Sequence, residues 1–186
     1  MQEPPAPNLN AETRITREQL ENHTLGETQH EFITGSSQEL RLVTQHMADQ
    51  AKRSVHIVSR HMDPELYNRQ EFIQSLSRLA RRSKYTQIQV LVQDSTPAVK
   101  DGHRLIQLAQ QLSSYVKIKK LHDDYKDYLR AFMVIDAEGY VLREFSDRYE
   151  ATIDFHAPRQ AKELLKFFTE AWEISVADPQ LRRLYL

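Results

Sequence analysis

The sequence predicts an α/β protein, a mixed β-sheet flanked by helices on both faces. Three observations predict it. Up to about residue 119, short β-branched segments alternate with segments whose apolar residues recur at helical spacing. From 131 to 155, strand-like segments follow one another with only turns between them. An amphipathic segment then closes the chain. Alternating β and α units build a sheet with helices packed on its faces.

The elements follow in order. Thr16 fits the cap of one helical turn ending near Glu21. Ser36 and Glu39 fit a capping box, and Leu40, Val43, Met47 and Ala51 continue that helix. Residues 54–59, Ser-Val-His-Ile-Val-Ser, alternate and are β-branched, which predicts a strand. Asp63-Pro64 marks a turn. Phe72, Leu76, Leu79 and Ala80 form the inner face of a second helix, ending in Arg81-Arg82-Ser83-Lys84. Residues 87–93 are a strand and 94–97 a loop. Leu105, Leu108, Ala109 and Leu112 give a third helix after Gly102, and residues 115–119 alternate apolar and basic as a strand. Residues 131–135, Ala-Phe-Met-Val-Ile, are apolar throughout, as in a strand buried on both faces. Residues 136–139 turn the chain into a hairpin partner at 140–144, and 151–155 add another strand. Ala161, Leu164, Leu165, Phe168 and Trp172 mark a long closing helix, with Phe167, Phe168 and Trp172 read as core. The order is β-α-β-α-β-α-β-β-β-β-α, with no residues assigned to the opening strand.

At 186 residues the chain suits one domain with a tail. Residues 1–27, rich in proline and glutamate, are expected to form a mobile acidic arm, or one that docks on a basic face. Residues 28–186 form the α/β domain. The absence of cysteine excludes disulfides, a thiolate nucleophile and a cysteine zinc site. Four scattered glycines exclude a P-loop and a dinucleotide fingerprint. A net charge of −1 argues against a dedicated nucleic-acid coat. With only short apolar runs and no apolar leader, the expectation is a cytoplasmic protein with no membrane contact, no metal and no cofactor.

The order and spacing of these elements resemble one half of the phospholipase D superfamily, over roughly residues 28–175. Three stretches carry the likeness: the helix followed by residues 54–59; residues 87–93 followed by a helix and 116–119; and 132–141 followed by a strand and 165–172. Enzymes of that family carry His-x-Lys-x4-Asp on the strand placed here at 129–136. His attacks phosphorus, Lys faces the same way along the strand and neutralises phosphate oxygens, and Asp orients the site. Asp136 matches the Asp, which puts Leu129 at the His position and Ala131 at the Lys position. None of the eight histidines has Lys two residues on, and Val141-Leu-Arg-Glu-Phe-Ser146 replaces the family's following Gly-Ser and Asn.

The resemblance therefore implies a degenerate half-domain with no catalytic residue and Asp136 as the motif's remnant: a non-catalytic binding or accessory module. Because enzymes of the family pair two halves, it implies a homodimer. The shape also resembles an uncharacterised bacterial domain family, some of whose members are joined to or encoded beside acyltransferases, which implies such a protein partner. Two other functions stay open. One is an enzyme with an unconventional site for a phosphodiester or other anionic substrate. The other is a nucleic-acid-binding module through residues 52–84, which hold eight basic and three acidic residues but no interleaved aromatics. Cations at a helix carboxyl end explain the same cluster.

Ligands of open α/β sheets favour the loops at the carboxyl ends of strands. Those loops hold His61, Asp63, Asp94, His122, Asp123 and Asp124, which read as metal ligands or as ordinary turn residues. His103 and Arg104 precede a helix and could complete an anion site there; a plain capped helix start is the alternative. Arg130 and Arg143, with Arg148 nearby, lie where the family's active site would be. They read as a remnant anion pocket, or as ion pairs with Asp136, Glu144, Asp147 or Asp154.

Overall fold

The computed structural model describes residues 15–182. Its elements are α1 (Arg17–Glu21), β1 (Phe32–Thr34), α2 (Ser37–Gln50), β2 (Ser54–Ser59), α3 (Pro64–Tyr67), α4 (Gln70–Ala80), β3 (Gln87–Val92), α5 (Thr96–Lys100), α6 (Arg104–Gln111), β4 (Val116–Lys120), β5 (Ala131–Ile135), β6 (Gly139–Arg143), β7 (Ala151–Asp154) and α7 (Pro158–Ile174). With the one-turn helices α1, α3 and α5 set aside, this is the order read from the sequence, and Phe32–Thr34 supplies its opening strand.

One seven-stranded sheet runs β1-β7-β6-β5-β2-β3-β4. β2, β3 and β4 are parallel, and every other pairing is antiparallel, so the sheet is mixed. Period-two side chains divide its two faces. Val55 and Ile57 of β2, Ile88 and Val90 of β3, and Met133 and Ile135 of β5 face the larger core. There Leu40, Val43 and Met47 of α2, Phe72, Leu76 and Leu79 of α4, and Leu105 and Ile106 of α6 meet them. Val58, Leu91, Phe132 and Val134 point the other way, onto Ala161, Leu164, Phe168 and Ala171 of α7. Helices thus lie on both faces, and all of β5 is buried.

Three local readings change. The acidic arm expected over 1–27 lies outside the described residues up to 14. From Ile15 onward it belongs to the body. Thr16 and Gln19 form a capping box on α1, Leu20 and Leu25 are buried, and the Gly26 N–H donates to the Phe155 carbonyl. Two well-placed leucines bury enough apolar surface to hold a short polar segment. The turn at Asp63-Pro64 is the start of α3, with Asp63 as cap and Pro64 in the first turn. The loop at 94–97 leads into α5, again with Pro in the first turn. Proline lacks the N–H that a first turn leaves unused, so it begins these helices as readily as it ends others.

His56 sits on the α7 side of β2, its ring edge-on to Phe168 at 5.0 Å. Burial lowers its pKa to about 4, against smaller opposing contributions from Gln89 and Asp136. The unfolded chain takes up a proton near pH 6.5 that the folded chain refuses. Stability is therefore fully present above pH 6.5 and is lost as pH falls towards 4, by up to about 3 kcal/mol from this group. Denaturation curves of His56→Gln should be flatter with pH across that window than the parent's; an unchanged slope would refute the assignment. Among the described residues no helix is long and apolar enough to cross a membrane.

Candidate functional site

The carboxyl ends of β2, β3 and β4 lie side by side, because the three strands are parallel and in register. Backbone bonds extend that register into the loops: the Gln93 N–H donates to Ser59 O, Asp94 N–H to Arg60 O, and Leu121 N–H to Val92 O. β5 runs antiparallel to β2 and so begins at the same edge, and the 146–149 loop after β6 closes the side. Between these loops lies a two-lobed cleft of about 230 and about 220 Å³, whose lobes share Arg60 and His61.

The floor of the first lobe is an ion pair. Arg143, at the end of β6, lies across from Ala131 of β5 and is only 4% exposed. Its guanidinium donates to Asp63 Oδ2 at 3.0 Å, to the Ser146 carbonyl at 2.7 Å and to the Arg148 carbonyl, and the Tyr149 ring lies 5.2 Å away. Burying a guanidinium requires partners of this kind on each nitrogen, since a charge without partners is expelled to water. The buried Tyr67 hydroxyl nearby has its pKa raised, chiefly by desolvation.

In the shared part of the cleft, His61 Nδ1 is buried without a hydrogen bond, 3.6 Å from Asp94 Oδ2. Hydrogen bonds from the Thr96 hydroxyl and N–H hold the Asp94 carboxyl below its usual range, with His61 adding a smaller pull. Arg60 is exposed, lines both lobes and has no side-chain partner among the described residues. Beyond it, His122 Nδ1 accepts from the Asp124 N–H at 3.2 Å, capping a 3-10 turn over Asp123–Tyr125. Among the described residues no three His, Asp or Glu side chains converge on a metal position.

The structure separates the anion-site candidates. His103 is not an anion cradle. It is buried, its Nδ1 accepts from the Leu105 N–H, and its Nε2 donates to the Met62 carbonyl at 2.8 Å. Burial lowers its pKa to about 4, so it offers an anion no charge at neutral pH. Arg104 is taken up by Asn68, which receives the guanidinium on its carbonyl and the Arg104 N–H on its side chain. Arg130 pairs with Glu144 at 2.7 Å on the surface. Of the four candidates, His103 and Arg143 converge, but on the Met62–Asp63 backbone and carboxylate, bracing one wall of the cleft.

Asp136 lies at the opposite end of the sheet, since β5 runs away from the cleft. Its carboxylate accepts three successive N–H groups, from Lys52, Arg53 and Ser54, at 2.7 to 2.8 Å. The eight basic residues of 52–84 do not form one face. Arg69 binds the Leu66 and Arg41 carbonyls, Arg78 pairs with Asp49 at 2.8 Å, and Arg60 reaches the cleft. Lys52, Arg53, Arg81, Arg82 and Lys84 remain, all exposed, at Asp136's end. Arg60 and Tyr149 were not singled out for the cleft by sequence reasoning, although Arg60 directly follows the carboxyl end of β2.

Solved structures similar to this chain include three at 11–12% sequence identity. TrmBL2, an archaeal chromatin protein, is 12% identical with a TM-score of 0.58 over 80% of this chain and 54% of its own. The chain thus spans about half that protein's length. Nuc from Salmonella typhimurium, a phospholipase D family member, is 11% identical with a TM-score of 0.58, over 79% of this chain and 97% of its own. NucT from Helicobacter pylori is 12% identical with a TM-score of 0.56, over 81% and 99%. These likenesses show a phospholipase D-like α/β fold. No curated protein matches the chain. The family described as "Domain of unknown function (DUF7931)" matches residues 36–184, which is most of the chain, and the protein belongs to that family.

Proposed function

We propose that the chain is a degenerate phospholipase D-like half that binds rather than cleaves, an accessory module with a protein partner. One observation carries the reading. Where the resemblance places a nucleophile and a phosphate-binding lysine, the chain has Leu129 and Ala131, and the side chain opposite Ala131 is an Arg each of whose three nitrogens already donates to Asp63 or a carbonyl. A phosphate at that position would have to break a buried ion pair to reach the Arg143 guanidinium. The likeness to an archaeal chromatin protein described as binding DNA supports a binding use of this fold.

The partner surface we propose is the rim beside the first lobe. Leu129 is 60% and Phe145 43% exposed there, and the Ser146 N–H donates to the Leu129 carbonyl between them. A second copy of the chain is the first candidate for that rim, and an acyltransferase the second. Purified protein should not hydrolyse bis-p-nitrophenyl phosphate, with or without divalent metal. Turnover above blank that disappears in His61→Ala would overturn the reading and give the work to the His61–Asp94 pair. Light scattering on the same sample should show a dimer that Leu129→Glu dissociates; a monomeric parent would remove the second-copy proposal.

A further inference from the structure

The geometry points to a single-stranded nucleic-acid site at the amino end of the parallel strands, across the sheet from the cleft. It does not rest on the loss of catalysis, since it uses none of the cleft residues. β2 and β3 start side by side, Ser54 opposite Gln87, and the Gln87 N–H donates to the Arg53 carbonyl. The loop before β2 therefore adjoins the loop before β3. The first loop presents Lys52 and Arg53. The second presents Arg81, Arg82, Lys84 and Tyr85. No carboxylate occurs in 50–62 or in 72–93, and none of these five cations has an ion-pair partner among the described residues.

The first loop is fixed, not floppy. Asp136 clamps three of its consecutive N–H groups, which directs the carboxylate inward to backbone while Lys52 and Arg53 point their charges into water. The second is pinned by the Thr86 hydroxyl on the Leu79 carbonyl and the Thr86 N–H on the Ser83 carbonyl. Tyr85 is 77% exposed, with Lys84 Nζ 5.0 Å from its ring centre. An aromatic held out in water beside cations is a platform on which a base can stack while phosphates meet the charges. Lys117 of the edge strand β4, the register partner of Gln89, is exposed on the α7 side. The cations sit on two adjoining loops and present no helix or ribbon for a groove, which favours an unpaired strand over a duplex.

The test is fluorescence anisotropy of the full chain with a fluorescein-labelled single-stranded DNA of about 20 nucleotides and mixed sequence. With four or five phosphates neutralised, affinity should fall roughly 50- to 100-fold between about 50 and 200 mM salt. Lys52→Glu/Arg53→Glu and Arg81→Glu/Arg82→Glu should each weaken binding at least about tenfold and lower the salt slope, and Tyr85→Ala should weaken it about fivefold. All these side chains are exposed, so the variants should keep the parent's circular dichroism melt. Undetectable binding at the lower salt would overturn the proposal, as would variants that bind like the parent. Loss of binding in Arg60→Glu instead would move the site to the cleft, and tighter binding of a duplex of equal length would refute the single-strand assignment.

Discussion

Asp63→Ala is expected to cost about 3–5 kcal/mol of folding stability, because it leaves the Arg143 guanidinium buried with no anion. The two carbonyls that also bind Arg143 carry no net charge, and the side chain is too enclosed to reach water. Asp63 has a second role, since its Oδ1 accepts the Glu65 N–H and caps α3, worth about 1 kcal/mol. A double variant separates the two roles. Asp63→Ala with Arg143→Met removes the charge together with its partner, and should recover most of the loss except the cap. Urea denaturation of parent, both single variants and the double gives the coupling directly. An Asp63→Ala loss under about 1 kcal/mol would mean that water reaches the pair and that the first lobe is open to a ligand.

The sheet and its helices were legible because their signals are local and periodic. Leu40, Val43 and Met47, or Ile88 and Val90, announce one buried face without reference to anything distant. What stayed hidden was decided by long-range partners. Leu20 and Leu25 look like isolated apolar residues in a polar arm until α2 and the Phe155 carbonyl are brought to them. The helices α3 and α5 hold four and five residues, too few for a periodic pattern to show.

The candidate site divides in the same way. Strand ends predicted where the cleft lies, so His61, Asp94 and His122 were found as a group from topology alone. Their pairings were not. Nothing in the sequence says that Arg143 is consumed by Asp63, eighty residues away, or that Asp136 faces the loop before β2 and not a ligand. His103 shows the same limit from the other side. A histidine before a helix reads as an anion ligand until its two nitrogens are seen to be spent on Leu105 and Met62. Residue type suggested charge at these positions, and only the partner showed whether the charge is free.

Phe168→Ala should cost about 3–5 kcal/mol, while Trp172→Ala should cost about 1–2 kcal/mol, although the two are one turn apart on α7. Helical spacing puts both on one face, which is why the sequence read both as core. The sheet under that face is finite. Phe168 lies over its middle, against His56, and is 1% exposed. Trp172 reaches the edge strand β4, where it stacks on Phe168 at 5.5 Å and is half-covered by Lys119. The Lys119 ammonium lies 4.5 Å above the ring and donates to the Trp172 carbonyl. Removing Phe168 leaves a cavity walled by β2, β5 and α7, and packed walls collapse poorly into such a space. Removing Trp172 opens a rim to water, loses a cation–π contact of about 1 kcal/mol, and leaves the Lys119 bond to backbone in place. Urea midpoints of the two variants decide the matter. Equal losses would place Trp172 in the core after all, and a Phe168→Ala loss near that expected for Trp172→Ala would mean that α7 can slide on the sheet to fill the gap.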